Sequence, residues 1–127
     1  MLVRTLSVGP LGTNCHIVGC EETKKAAVID PGGDAELILR QLERDELDAR
    51  YVVDTHGHAD HIAANREIVE ATGATLAIHR LDAPMLTDPA LNLGLFMGQR
   101  ISGPAADLLL AEGDEIKVGT VTLRVLH

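Results

Sequence analysis

The chain has 127 residues, 46% of them hydrophobic, and a formal net charge of −8. This length suits one domain, and no apolar run approaches the roughly 20 residues that a transmembrane helix needs. The negative charge disfavours nucleic acid and anionic membranes as partners. Nothing in the sequence resembles a signal peptide. We therefore expect a single soluble domain over residues 1–127, located in the cytoplasm.

The first thirty residues have the alternating hydrophobicity and the turn residues that are typical of β-strands. Strands are predicted at Leu2–Val8, Cys15–Val18 and Ala26–Ile29. Cys15 and Cys20 lie in this region, but they lack the CxxC spacing of a metal or redox motif. Because cysteines in a cytoplasmic protein are usually reduced, we interpret both as free thiols.

A helical period replaces the alternation after Gly33. Apolar residues recur at helical spacing at Ala35, Ile38, Leu39 and Leu42. Asp34 precedes them at the position of an N-cap. These features predict a helix that is capped by Asp34 and runs to about Leu47.

Strands and helices alternate in the rest of the chain. The predicted strands are Tyr51–Val53, Thr75–Ile78, Glu115–Val118 and Val121–Leu126, and the predicted helices are Ile62–Thr72 and Arg80–Leu86. Residues 87–105 are rich in Gly and Pro and are predicted to be irregular. Antiparallel strands followed by alternating strands and helices indicate a mixed sheet covered by helices, in the α/β (α+β) class.

A short segment directly after the predicted strand Tyr51–Val53 concentrates side chains that bind metals. It contains His56, His58, Asp60 and His61. His56 and His58, two positions apart, can share one ion, whereas Asp60 and His61 face a different direction and suit a second ion. The alternative is a histidine-rich surface turn, but four ligand-type residues at this spacing favour metal binding.

The segment Thr55–His61 resembles the THxHxDH signature of the metallo-β-lactamase superfamily. Ala27–Gly33 resembles the strand and turn before the first helix of that family, and Glu112–Gly119 resembles the hairpin before its third histidine. The resemblance covers nearly the whole chain and is closest to the small glyoxalase-II-like (hydroxyacylglutathione hydrolase-like) hydrolases. It implies that residues 1–127 form the N-terminal half of an αββα sandwich.

The resemblance also implies a set of ligands. His56 and His58 would bind a first Zn²⁺ ion and Asp60 and His61 a second, with iron or manganese as alternative metals, and Asp60 would be catalytic because it orients the metal-bound hydroxide. The remaining ligands of the family lie beyond this chain, and His127 resembles a strand-end residue rather than a ligand. The 127 residues alone are therefore expected to be inactive and to need the missing C-terminal half or a second copy as a partner.

The implied function of the full-length protein is metal-dependent hydrolysis of a thioester, so the implied partner is a small-molecule substrate. Two alternatives stay open. The segment His58–Ile62 also resembles the loop of persulfide dioxygenases, which share the fold and use a single iron, and the chain is alternatively a truncated module without catalytic activity. A tRNA-processing nuclease is disfavoured by the acidic charge and by Ala59, where those enzymes tend to carry glycine.

Three further residues have two interpretations each. Asp30 either accepts a hydrogen bond from a ligating histidine or only forms a turn with the following Pro and Gly. His79 is predicted to be a strand-end residue rather than a functional group. Phe96 is predicted to pack within its loop rather than to line the mouth of a substrate site.

Overall fold

The computed structural model describes residues 1–98 and 100–126, and the predicted strand-end role of His127 lies outside them. The strands are β1 (Leu2–Val8), β2 (Thr13–Gly19), β3 (Lys25–Ile29), β4 (Asp48–Asp54), β5 (Thr75–His79), β6 (Leu108–Leu110), β7 (Glu115–Val118) and β8 (Val121–Arg124). The helices are α1 (Ala35–Arg44), α2 (Ala59–Ile62) and α3 (Asn65–Thr72), and two short 3-10 helices cover Ala83–Leu86 and Leu95–Met97. Within these residues, no helix has the length and apolar character to cross a membrane.

Six strands form one mixed sheet in the order β1-β2-β3-β4-β5-β6. The pairs β1–β2 and β2–β3 are antiparallel, whereas β3–β4, β4–β5 and β5–β6 are parallel. β7 and β8 form a separate antiparallel hairpin. The mixed sheet predicted from the order of strands and helices is therefore confirmed. Because β3 to β6 are parallel, their carboxyl ends lie at the same edge of the sheet, where binding sites of α/β proteins usually form.

The two faces of the six-stranded sheet are covered by different elements. The cluster beneath the helices includes Ile38, Val52, Ile68 and Leu76. The cluster beneath the β7–β8 hairpin consists of Ala27, Ala77, Leu110, Ile116 and Val118. Residues of the two clusters alternate along the strands, because successive side chains of a β-strand point to opposite faces of the sheet. The sheet is therefore a central layer between helices and a hairpin.

The predicted end of the first helix is wrong, and Asp34 is the predicted N-cap residue but does not cap the helix with its side chain. α1 ends at Arg44 rather than near Leu47, because the backbone N–H of Leu47 turns back to donate to the carbonyl of Leu42 at 2.9 Å. Asp34 has a left-handed φ of 50° and makes no side-chain cap. Its Oδ2 instead accepts a hydrogen bond from the backbone N–H of Gly9 at 2.9 Å. The carboxylate therefore ties the β1–β2 turn to the start of α1.

Tertiary contacts also change the predicted elements after β4. The predicted helix Ile62–Thr72 is divided into α2 and α3, because the N–H of Ala64 donates to the carbonyl of Pro31 at 2.8 Å. Only Ala83–Leu86 of the predicted helix at 80–86 is helical, and it is a 3-10 helix with Pro near its start. β6 was not predicted, and β8 ends at Arg124 rather than Leu126.

Candidate metal centre

The four predicted ligands lie at the carboxyl end of β4, as the sequence predicted. Residues 55–58 lead out of this strand, and Asp60 and His61 belong to α2. One ligand atom from each of His56, Asp60 and His61 lies within 4.8 Å of the others. The ring centroids of His56 and His61 are 3.9 Å apart. These three side chains therefore converge on one point.

His58 stands beside this group rather than within it. Its ring centroid is 4.8 Å from that of His56, in an edge-on arrangement, and its side chain is exposed. It occupies the N-cap position of α2 with an extended backbone. In the part of the chain that the structure describes, one group of three side chains can hold an ion, and His58 is not a member of it. The pairing of His56 with His58 on one ion, and of Asp60 with His61 on another, stays a prediction.

Asp30 orients His56 through Thr55. Its Oδ1 accepts a hydrogen bond from the backbone N–H of Thr55 at 2.7 Å, and its Oδ2 accepts one from the Thr55 hydroxyl at 2.6 Å. The hydroxyl has a single proton, so its 3.1 Å contact with Nδ1 of His56 requires that Nδ1–H be the donor. Nε2 of His56 then keeps its lone pair, which makes it the nitrogen available to a metal.

The same carboxylate faces His61. Nδ1 of His61 lies 3.1 Å from Oδ2 of Asp30, which is within ion-pair distance. The geometry of this contact is not that of a hydrogen bond. Nε2 lies 3.4 Å from Oδ2 of Asp60. Ligating histidines usually present their second nitrogen to a carboxylate in this way. Asp30 also forms the turn, since its φ is 56° and its carbonyl accepts from Gly32. The turn is therefore present, whereas a hydrogen bond from a ligating histidine to Asp30 stays a prediction.

Burial sets the ionisation of the groups around the site. It lowers the pKa of His56, and the neighbouring His61 lowers that pKa further. The His56 imidazole is therefore neutral at neutral pH, the form that binds metals. Burial raises the pKa of the Cys15 thiol to about 12. Cys15 lies beneath the loop as a neutral thiol and is not a candidate ligand, because metals take the thiolate.

A buried hydrogen bond closes the base of the candidate ligand loop. Nδ2 of Asn65 donates to Oδ2 of Asp54 at 2.7 Å, and both side chains are almost fully buried. Burial raises the pKa of Asp54 well above its ordinary value. Asp54 ends β4 and Asn65 begins α3, so their contact ties together the two ends of residues 55–64. Sequence analysis missed this pair, and a polar residue at the end of an apolar strand was its only signal.

Two other predictions near the site are confirmed. Cys15 and Cys20 are free and buried. His79 ends β5 and is buried, and its Nδ1 accepts a hydrogen bond from the N–H of Leu81 at 3.2 Å. His79 is therefore a strand-end residue, as the sequence predicted, and its lack of a functional role stays a prediction.

The prediction that Phe96 packs within its loop is wrong, because its side chain is 90% exposed. The loop is held instead by the fully buried Asn92, which donates to the carbonyls of Met85 and Ile101 at 3.0 and 2.9 Å. The carbonyl of Asn92 accepts from the N–H of Ala59 at 2.8 Å. The loop is therefore fastened to α2, and a role for Phe96 at the mouth of a substrate site stays a prediction.

We expect Gly32→Ala to weaken metal binding. A Cβ at Gly32 would overlap the backbone carbonyl of Asp60, so α2 would have to shift. Overpacking of this kind costs about 1–3 kcal/mol of stability. A displaced Asp60 should also lower zinc affinity at least about tenfold, the effect of disturbing the support of a metal ligand. Urea unfolding and zinc titration against a chelator measure the two effects.

Gly73→Ala is the matched control. Gly73 has a φ of 72°, and an added Cβ would meet nothing within 4 Å. It should cost about 1–2 kcal/mol through the left-handed backbone alone and leave zinc affinity unchanged. Wild-type zinc affinity in Gly32→Ala would contradict the role of Gly32 as the support of α2.

The side chains present fit a bound metal ion. Imidazole nitrogen and carboxylate oxygen are the donors that Zn²⁺ and related divalent ions take in proteins. The three converging side chains are partly buried, so a substrate can still reach an ion held between them. Asp30 supplies the supporting carboxylate behind both histidines.

Comparison with known proteins gives a consistent result. The sequence profile of the metallo-beta-lactamase superfamily matches residues 8–127. The probable metallo-hydrolase YqgX of Bacillus subtilis is 27% identical over 97% of this chain and 58% of its own length. The hydroxyacylglutathione hydrolase GloC of Haemophilus influenzae is 33% identical over 60% of this chain and 35% of its own length.

A solved structure shares the fold. The B3 metallo-beta-lactamase BLEG-1 superposes with a TM-score of 0.90 at 31% identity, over 99% of this chain and 61% of the BLEG-1 chain. The chain spans about three fifths of the length of the curated relatives that match it along its whole length. The mixed sheet and its helices thus match about three fifths of such a protein.

Proposed function

The chain belongs to the metallo-β-lactamase superfamily, and on this basis we propose that the full-length protein is a metal-dependent hydrolase of thioesters. The observation that carries the proposal is the convergence of His56, Asp60 and His61 within 4.8 Å at the carboxyl end of β4. Two imidazoles and a carboxylate at an open sheet edge form a site for a divalent ion rather than for a nucleophilic side chain.

The residues around the site have separate tasks in this proposal. A bound metal would supply a water of lowered pKa as the nucleophile and positive charge for the oxyanion that forms on the substrate. Asp60 would bind the metal and hold the attacking water in line with the carbonyl carbon. Through Thr55, Asp30 would keep His56 in the tautomer that leaves Nε2 unprotonated, and its carboxylate faces Nδ1 of His61 at 3.1 Å.

The thioester substrate is proposed from the resemblance of the loop to glyoxalase-II-like hydrolases and from the similarity to GloC. An acylated glutathione or a similar small thiol ester fits this likeness. Zinc is the metal that we propose, because neutral imidazoles and one carboxylate suit it. The cytoplasm is the proposed compartment, since both cysteines are free thiols.

A second candidate function is oxidation of a persulfide by a single iron. It is favoured by the donor set of the converging group, because two histidines and one carboxylate with open positions are the ligands of non-haem iron oxygenases. His58 bears on the choice between the two candidates. It lies next to the converging group, and a site with two metal ions would need it as a ligand, whereas a site with a single iron would not.

The test is to load the metal-free full-length protein with zinc or with iron and to supply an acylated glutathione or a glutathione persulfide. Zinc-dependent release of free thiol supports the hydrolase, and it should be lost in His56→Ala but not in the matched control His16→Ala. Oxygen uptake with iron and persulfide, without thioester hydrolysis, would replace the hydrolase with the dioxygenase. Activity in neither assay would overturn both.

A further inference from the structure

We propose that Thr13 is a positioning residue of the metal centre, which holds the Asp60 carboxylate in its metal-binding orientation. The inference rests on the proposed function, because it concerns the same site. Thr13 is the first residue of β2 and precedes Asp60 by 47 positions in the chain. Its hydroxyl donates a hydrogen bond to Oδ2 of Asp60 at 3.1 Å. Sequence analysis did not single out this residue.

The Thr13 hydroxyl oxygen is held in a restricted position. The residue is only 8% exposed, and its backbone is paired with Val8 in the β1–β2 ladder. The two heavy atoms on the Cβ of threonine restrict χ1, so a fixed backbone also limits where the hydroxyl oxygen lies. A hydroxyl has one proton to donate, and an ionised carboxylate is the strongest acceptor available to it. The six-stranded sheet therefore presents this proton to Asp60.

Asp60 needs support from outside its own helix. α2 has four residues, which is too short for a helix to hold its own geometry. The Asp60 side chain lies in its first turn and is 24% exposed, so core packing does not hold its rotamer. Gly32 lies directly against the backbone carbonyl of Asp60 and so limits movement of α2. Thr13 holds the Asp60 side chain through its hydrogen bond.

The contact leaves the carboxylate available to a metal. An ionised carboxylate accepts about four hydrogen bonds, and Thr13 uses one of these positions. Oδ2 also lies 3.4 Å from Nε2 of His61, so the carboxylate held by Thr13 faces the neighbouring ligand nitrogen. Thr13 is thus expected to act on metal affinity through Asp60.

The test measures zinc binding by the full-length protein, without any substrate. Thr13→Val removes the hydroxyl and keeps the shape, whereas Thr13→Ser keeps the hydroxyl. We expect zinc affinity to fall about tenfold to a hundredfold in Thr13→Val, the usual effect of removing a partner of a metal ligand. Thr13→Ser should recover most of that loss. Thr5→Val, in the neighbouring strand and bonded to His16, is the matched control and should bind zinc as the wild type does.

Each outcome decides the inference. Wild-type zinc affinity in Thr13→Val, or equal losses in the valine and serine variants, would overturn it while the metal centre stands. Loss of metal-free stability in Thr13→Val with unchanged zinc affinity would show a merely structural role and would also overturn it. If Thr13→Val does not fold, Thr13→Ala replaces it in the comparison with serine. If the wild-type protein binds no zinc, both the metal centre and the role of Thr13 fall. A wrong substrate leaves all of these results unchanged.

Discussion

Asp60→Ala is expected to lower thioester hydrolysis by the full-length protein by more than about a hundredfold and to leave the fold intact. Asp60 is the anionic member of the converging group, so its loss removes a ligand and the negative charge that attracts the cation. It also removes the group that we assign to orienting the attacking water. The side chain is 24% exposed, so its truncation leaves no large cavity in the core.

The measurements are kcat/KM and zinc content, together with thermal unfolding of the metal-free protein. Asp48→Ala is the matched control, because Asp48 is exposed at the start of β4 and contacts only Arg50 among the ion pairs of the described residues. It should keep wild-type turnover. Near-normal hydrolysis in Asp60→Ala would refute the role of Asp60, and loss of folding would show that its contact with Thr13 is structural.

Local sequence patterns were sufficient for most of the sheet. β1 is at its predicted position and β5 extends one residue further, because the alternation of apolar residues is a property of neighbours in the chain. β6 has only three residues, all leucine, and gives no alternation. The break between α2 and α3 depends on the bond from Ala64 to Pro31, which no local pattern reveals.

The candidate site divides in the same way. The four candidate ligands stand within six positions, so their chemistry is visible in the sequence. Their supports are not: the contact of Asp30 with Thr55 spans 25 positions, and that of Thr13 with Asp60 spans 47. The fold brings these pairs together only after β2, β3 and β4 have paired. A sequence motif therefore predicts the ligands but not the network that orients them.

Residues 1–127, prepared as a separate polypeptide, are expected to hold zinc weakly and to show no measurable thioester hydrolysis. The predicted two-ion assignment leaves each ion with two protein ligands in residues 1–127, whereas a catalytic zinc generally takes three plus water. Of the side chains that the structure describes, one group of three converges, so these residues can hold one ion at most. A two-metal site needs more donors than His58 adds to this group. At most one weakly held zinc per chain is therefore expected.

Packing gives a second reason, because the sheet face under the β7–β8 hairpin is incompletely covered. A cleft of about 250 Å³ lies there, lined mainly by apolar residues such as Ile29, Leu110 and Leu123. Leu126 is 79% exposed and Val3 is 50% exposed. Residues 26–28 are buried between the two clusters. At about 25 cal/mol per Å², the remaining apolar exposure still costs several kcal/mol, which is comparable with the stability of a small domain.

The separate polypeptide should therefore self-associate, since a second copy can cover the cleft that its own residues leave open. Zinc content, sedimentation and thioester hydrolysis of the separate polypeptide are compared with those of two forms of YqgX. One form is the whole protein, and the other is only the segment that matches this chain. Both short forms should lose zinc and self-associate, whereas whole YqgX should hold its metal, because chain beyond the matching segment can supply donors and cover the sheet. A monomeric 127-residue polypeptide with one tightly held zinc and rapid turnover would contradict this prediction. It would also mean that His56, His58, Asp60 and His61 form a complete catalytic site without further ligands.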